Sequence, residues 1–398
     1  MKIIAVNNNK TEKEFLDLPR KLYKNDPFHV MPFDKDIRAA FDPSQNVHFK
    51  NGDAARWILL NDDEKVIGRI AAFYEQDKAK ADYVDNGGCG FFECINNQSA
   101  ANMLFDAAAA WLKEKGFEAM TGPINFGENE SNWGCLVQGF EPQGHGMAYN
   151  LPYYKELFEN YGFQLYYRQF SFHIEIEKPF PERFWKIAEW INNRPNYNFR
   201  HFDYKHADKF VNDTVKVYNE AWPLLKDDFT PMDPKSIYEL MQKAKPILDP
   251  ELCWFAYFKE EPIAFFFFFP DANQILRHLD GRMHLWNKLK FVYLKKKKVM
   301  TRMRGSAAGV SPKYQNSGVE SGIIYQLKQV VDRNPHYKQA ELSWVGDFNP
   351  KMIALYNATG ATHAKTHYTY RYMINKSLPF KRFMPEKVDE SAFPEGAI

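Results

Sequence analysis

The chain has 398 residues, of which 52 are Lys or Arg and 50 are Asp or Glu, for a net charge of +2. That length exceeds what one core usually fills, so two domains are expected, and the balanced charge gives no electrostatic footprint for a nucleic-acid partner. Hydrophobic residues make up 45% and aromatics 16%, including 34 Phe, which predicts large, ring-filled cores. Four cysteines (Cys89, Cys94, Cys135, Cys253) lack CxxC spacing, so they read as reduced core thiols of a cytoplasmic protein, with no metal site.

Taken in chain order, the opening MKIIAVNNNKTEKEF has an apolar run too short for a signal-peptide core. Residues 54–74 form two apolar runs around NDDEK, the pattern of a β-hairpin. A strand at 90–94 precedes a helix over 99–115, where Ala101, Leu104, Phe105, Ala108, Trp111 and Leu112 share one face. A strand at 118–122, a long polar loop, a helix over 153–160 and a strand over 165–176 complete the first half. The Pro-rich EKPFP at 177–181 marks the boundary, which gives domains 1–177 and 178–375 and a polar tail, 376–398, expected to wrap or fray.

The second half repeats the first. CWFAYFKEEPIAFFFFF at 253–269 is again a hairpin, and Trp254 and Ile263 match Trp57 and Ile67 at offsets near 200 residues. Its apolar stretch is bounded by Pro262 and Pro270, which fits a buried strand; no run reaches membrane-spanning length, so no membrane partner is expected. A helical insert over 286–298 ends in Lys295–Lys298, read as a solvated helix end, with ligand binding as the alternative. Then follow a strand over 300–310, a helix with Val319, Ile323, Ile324, Leu327, Val330 and Val331 on one face, a strand over 340–345, a helix over 350–358 and a strand over 367–374. The fold class is therefore α+β, two copies of a mixed, mostly antiparallel sheet flanked by helices.

Between strand and helix lies GVSPKYQNSGVES, 309–321. A helix N-terminus with glycine can cradle a phosphate or merely connect two elements, and the loop alone leaves both readings open. Val310, Pro312, Tyr314, Gln315 and Gly318, followed by Asn349, Tyr356 and Gly360, resemble the acetyl-CoA site of the GNAT N-acetyltransferase superfamily. GPIN at 122–125 and NWG at 132–134 also resemble a tandem-GNAT group of bacterial proteins.

The resemblance implies two tandem GNAT-like domains and acetyl-CoA or another acyl-CoA as co-substrate. It places Ala308, Gly309, Val310, Gln315, Asn316, Ser317, Gly318, Val319, Glu320, Ser321 and Asn349 at the cofactor. A splayed strand near 308–310 would offer the oxyanion donor, and Tyr356 would protonate the departing thiolate. Glu341 is the base candidate carried forward, beside His278 and Asp280. Two departures stand out: Glu320 occupies a position where the family has Gly or Ala, and INNQ at 95–98 replaces the phosphate loop in the first half, which should lack a working acyl-CoA site.

The loop residues Asn125, Glu128, Asn129, Asn132, Trp133, Tyr149 and Asn150 are the candidate contacts for a small amine or amino-acid-like acceptor held between the domains. His363 and His367 sit four apart without a third ligand, so no metal is expected. The expected function is acetyl or acyl transfer to that amine by a monomer or weak homodimer. The alternatives are a non-catalytic binding protein and a Fem-like transferase with a non-CoA donor.

Overall fold

The computed structural model describes residues 1–79, 82–127, 132–179, 181–221, 231–315 and 317–383. The first half runs β1 (Lys2–Ala5), α1 (Asn9–Leu22), α2 (Asp34–Ala40), β2 (Gly52–Leu60), β3 (Val66–Glu75), α3 (Gln76–Ala79), β4 (Asn86–Cys94), α4 (Gln98–Glu114), β5 (Ala119–Gly122), β6 (Cys135–Gln138), α5 (Tyr154–Tyr161) and β7 (Gln164–Glu175). The second runs α6 (Glu182–Asn192), β8 (Tyr197–His201), α7 (Ala207–Ala221), α8 (Pro234–Ala244), β9 (Cys253–Phe258), β10 (Glu261–Pro270), α9 (Asn273–Leu276), α10 (Leu285–Lys296), β11 (Arg302–Val310), α11 (Val319–Arg333), β12 (Gln339–Gly346), α12 (Pro350–Ala358) and β13 (Thr362–Met373). The opening apolar run is thus a strand: β1 pairs antiparallel with β2.

The helical faces read from the sequence are the faces that pack. Ala101, Leu104, Phe105, Ala108 and Leu112 of α4 are fully buried against Phe92, Phe158 and Phe163. Val319, Ile323, Leu327 and Val330 of α11 close the second core over Trp254, Ile263 and Phe266. Asn97 caps α4 through its side chain, whereas α11 starts from Gly318 at φ +85° with no side-chain cap.

All strands join one sheet in the order β1-β2-β3-β4-β5-β13-β7-β12-β11-β10-β9-β8, with β6 on β13. The halves exchange their last strands. β7 pairs with β12 and β13, and β13 pairs with β5, β6 and β7. Arg371 on β13 fastens this exchange: 2% exposed, it bonds Thr121 of β5 at 3.0 Å and Asp82 at 2.6 Å.

Because the backbone partners of β7 all come from the second half, residues 1–177 expressed alone would leave twelve strand residues with unpaired N–H and C=O groups. The expected outcome is an aggregating or protease-sensitive fragment, rescued by co-expression with 178–398. A monomeric, protease-resistant fragment 1–177 would count against the exchange as a folding constraint.

Candidate active site

Among the described residues each half has one parallel strand pair, and each pair holds for three residues only: β4–β5 at Asn86–Gly88, and β11–β12 at Arg302–Arg304 against Gln339–Glu341. Beyond that point the strands part. In the first half the chain itself plugs the gap: Ile124 N–H donates to Cys89 O at 2.9 Å, and a Cβ on Gly90 would lie 1.8 Å from Ile124 O. In the second half the wedge stays open, and Ser343 Oγ donates across it to Ser306 O at 3.2 Å. Ser306 is also the extra residue where the β10–β11 register shifts. The opening thus begins at Gly305, ahead of the 308–310 segment expected from the sequence.

Behind the wedge, between the sheet and the helices α11 and α12, is an apolar cleft open to solvent. Met303, Gly305, Ala307 and Ala308 of β11, Ala340 and Leu342 of β12, and Ile174 and Ile176 of β7 form its floor; Ile324, Leu327, Val331, Met352, Leu355 and Tyr356 form its walls. Strand alternation puts small and apolar side chains on this face. Tyr356 donates its hydroxyl to Ser343 O at 3.3 Å, and burial raises its pKa, so the phenol holds its proton. Asn349 caps α12 by accepting from Met352 N–H.

At the open end of the wedge, the first-turn amides of α11 lack a side-chain cap, and Ser311 Oγ and Ser317 Oγ are buried without partners. Buried hydroxyls need partners and helix N-terminal amides attract anions, so these donors can serve a phosphate. Val319 is wholly buried core, Ser321 nearly so, Gly309 is buried, and Gln315 is exposed. Glu320 turns its carboxyl back onto its own N–H, among the amides. No cation among the described residues pairs with it, and burial raises its pKa.

The opposite face of the same strands is polar. Asp271, Arg302, Glu341 and Lys365 form a buried ion network: Arg302–Asp271 at 2.6 Å, Arg302–Glu341 at 3.3 Å and Lys365–Glu341 at 2.7 Å. Glu341, 1% exposed, is thus held by two cations. Arg302 also donates to the carbonyls of Pro142 and Gln143, which ties the first half's long loop to β11. This docking delivers a residue the sequence reading passed over. Gly144 lies where a Cβ would be 3.3 Å from both Arg304 Cδ and Glu341 Oε2, at the last paired residues of the wedge.

His145 follows it. Its N–H donates to Asp271 Oδ1 at 2.9 Å, and its Nδ1 sits 3.2 Å from Asn273 Oδ1. Asn273 Oδ1 can only accept, so Nδ1 carries the proton and Nε2 keeps a lone pair, with no partner among the described residues. The crowding protein lowers the His145 pKa from 6.5, and Arg304 adds to the effect; the ring still reaches solvent. Arg304 has no hydrogen-bond partner among the described residues, and its Nε is buried. A lone histidine in a loop has no periodicity, and only the docking of the halves gives it a neighbourhood.

The loop residues expected at the acceptor are mostly engaged elsewhere. Asn150 clamps β6 through Leu136 N–H and O, Tyr149 donates to Asp26, and Trp133 Nε1 donates to Tyr167. Asn132 is exposed, and its N–H donates to Gly146 O; Asn125 O accepts from Gly127. Glu128, Asn129 and Asn316 lie outside the described residues. His278 and Asp280 sit on an exposed turn after α9, away from any strand, because the chain leaves β10 at Pro270. His363 pairs with Thr366 Oγ1 and His367 with Ala148 O.

No family model matches the chain. It is 25% identical over 384 residues to a bacterial ceramide synthase of Caulobacter vibrioides, covering 93% of this chain and 97% of that one. Among solved structures it superposes on a tandem GNAT protein from the clavulanic acid biosynthesis pathway with TM-score 0.53 and 10% identity, over 94% and 98% of the two chains. It also matches a glucosamine N-acetyltransferase region in a fungal multi-domain β-N-acetylglucosaminidase, with TM-score 0.54 and 9% identity. That match covers 93% of this chain and only 38% of the larger protein. The architecture is that of a tandem GNAT protein, a mixed α+β fold in two copies.

Glu320 offers a direct probe of the α11 cradle. Its raised pKa means that protonation, which removes the repulsion towards a pyrophosphate, sets in at higher pH than for a free carboxylate. Acyl-CoA affinity should therefore rise as pH falls towards 5. Glu320→Ala should bind more tightly at pH 7.5 and lose that part of the pH dependence. Calorimetric titration checks both; equal affinity of the two proteins at every pH would show that the carboxyl does not oppose the ligand.

Proposed function

We propose that this chain is an acyl-CoA-dependent N-acyltransferase whose acyl group is a long hydrocarbon chain. The observation that carries the reading is the wedge of β11 and β12, open at one end to the N-terminus of α11 and leading to an apolar cleft. Acetyl-CoA or another acyl-CoA is the donor expected from the sequence, and the apolar lining of that cleft favours a long chain over an acetyl group. The name of the Caulobacter relative points the same way, since a ceramide is a lipid amide. The plugged wedge of the first half supports a single acyl site in the second.

The free amides of α11, with Ser311 and Ser317, would hold the pyrophosphate, and the apolar walls the chain. The thioester supplies an activated carbonyl. N–H groups that β11 turns towards β12 beyond Arg304, left without a strand partner, would bind the oxygen of that carbonyl as charge develops on it. From the polar face, His145 Nε2 takes a proton from the acceptor nitrogen, whose lone pair forms the C–N bond. As the C–S bond breaks, Tyr356 gives its proton to sulfur from the apolar face. Base and acid thus sit on opposite faces of one sheet. We assign the base to His145 rather than to Glu341, whose carboxylate is held in two ion pairs. Arg304 would donate to an oxygen of the acceptor.

One observation favours a second reading, a donor without a pyrophosphate: Glu320 lies among the amides that would hold it.

Two expected outcomes test the proposal. Across acyl-CoAs from acetyl to palmitoyl, kcat/KM should rise with chain length, with an upper limit of about 0.8 kcal/mol per buried methylene. Leu355→Trp should abolish the rise for long chains and spare short ones; a flat profile in the unaltered protein would reject the long-chain donor. Separately, His145→Ala should lower kcat about 100-fold and remove the acid limb of the rate profile. That limb falls below pH 6.5, because the lowered pKa keeps the imidazole neutral down to that range. Tyr356→Phe should lower kcat with little change in acyl-CoA affinity.

A further inference from the structure

Helix α10 bridges α9 and β11, and it is apolar on two opposite faces. Its inner face, Phe291 and Leu294, packs on Ile275, Leu279 and Met300, and Asn287 Nδ2 donates to the carbonyls of Leu279 and Arg282. The outer face is Leu285, Trp286, Leu289, Val292 and Tyr293, exposed by 68, 75, 54, 52 and 59%. At 3.6 residues per turn these five span one arc of about 120°. Lys288 and Lys295 border the arc on one side and Lys290 on the other, and Lys296, Lys297 and Lys298 close its C-terminal end. Residues 285–298 hold six lysines and no carboxylate, in a chain whose net charge is +2.

From this we infer that α10 is a membrane-surface helix that docks the protein on an anionic lipid bilayer. Leaving so much apolar surface in water is unfavourable, and a Trp and a Tyr beside a lysine rim match the layered polarity of a bilayer interface. Charge decides among possible partners. A second copy would set the same lysines against each other, whereas anionic headgroups complement them while the acyl region takes Trp286, Leu289 and Val292. Among the described residues no helix is long and apolar enough to cross a membrane, so α10 would lie in the plane of the surface. Lys295–Lys298 are exposed, as a solvated helix end should be, and the inference adds the apolar arc beside them.

β11 begins a few residues after α10, and its Met303 lines the apolar cleft, so a docked α10 would hold one end of that cleft near the lipid. The inference stands on α10 alone and is read without turnover, so it can fail or hold independently of acyl transfer.

The test is co-sedimentation of the full chain with phosphatidylcholine vesicles, with and without phosphatidylglycerol. Binding is expected to be at least about tenfold stronger to the anionic vesicles and to weaken with added salt. The double change Leu289→Glu, Val292→Glu should abolish it. Lys296→Glu, Lys297→Glu, Lys298→Glu, which leaves the apolar arc intact, should remove the preference for phosphatidylglycerol. Unchanged thermal unfolding would show that both variants fold. Failure of the unaltered chain to bind anionic vesicles would overturn the inference, as would undiminished binding by either variant. So would a dimer, seen by analytical ultracentrifugation, that dissociates on Leu289→Glu, Val292→Glu, since a second copy would then be what covers this face.

Discussion

The antiparallel pairing of β7 with β13, at the centre of the sheet, is the constraint on which the rest depends. Each strand completes the sheet of the half it does not belong to by sequence, so neither core can close without the other. The exchange also fixes β12. One edge of β12 is held by β7 over six register positions, while its other edge meets β11 over only three. The wedge can therefore open on the β11 side without loosening the sheet.

Strand alternation then divides the chemistry. On the helix-covered side, Met303, Gly305, Ala340 and Leu342 line an apolar cleft; on the other, Arg302, Arg304 and Glu341 face the loop of the first half. Ions inside a protein are costly to strand and are tolerated when paired. Arg302 and Lys365 neutralise Asp271 and Glu341, and Arg302 spends further donors on the loop carbonyls. The loop is thereby pinned with His145 at the vertex, and the network does more to position a neighbour than to react. Arg304 beside it is the contrasting case: a half-buried cation with no ion pair or hydrogen bond among the described residues is available to a ligand oxygen.

The two halves show how one fold can keep a wedge open or fill it. Both wedges open after three parallel pairs, yet Ile124 occupies the first, and fully buried Phe158 stands where the second has Tyr356. A ring packed between Phe92, Phe105 and Phe163 stabilises a core; a phenol at the edge of an open cleft can donate a proton. The difference lies in which side chains fill the gap.

Much of this was legible in the residues. The 3.6-residue period of α4 and α11 and the paired apolar runs of the two hairpins depend on local sequence, and the offset near 200 residues revealed the duplication. Some elements were missed: β1 has only four residues, and α7 and α8 went unread although Phe210, Val211, Thr214, Val217 and Ala221 of α7 form a regular buried stripe. His145 and the outer arc of α10 were missed for another reason. A single loop histidine has no period, and a helix apolar on two faces does not declare which one is covered. The sequence by itself determined the order of elements, their buried faces and the uncapped start of α11, because those follow from contacts within a few residues. The tertiary structure alone decided the strand exchange, the open and plugged wedges and the meeting of His145 with the vertex. Each depends on contacts between residues far apart in the chain, for which no local pattern selects.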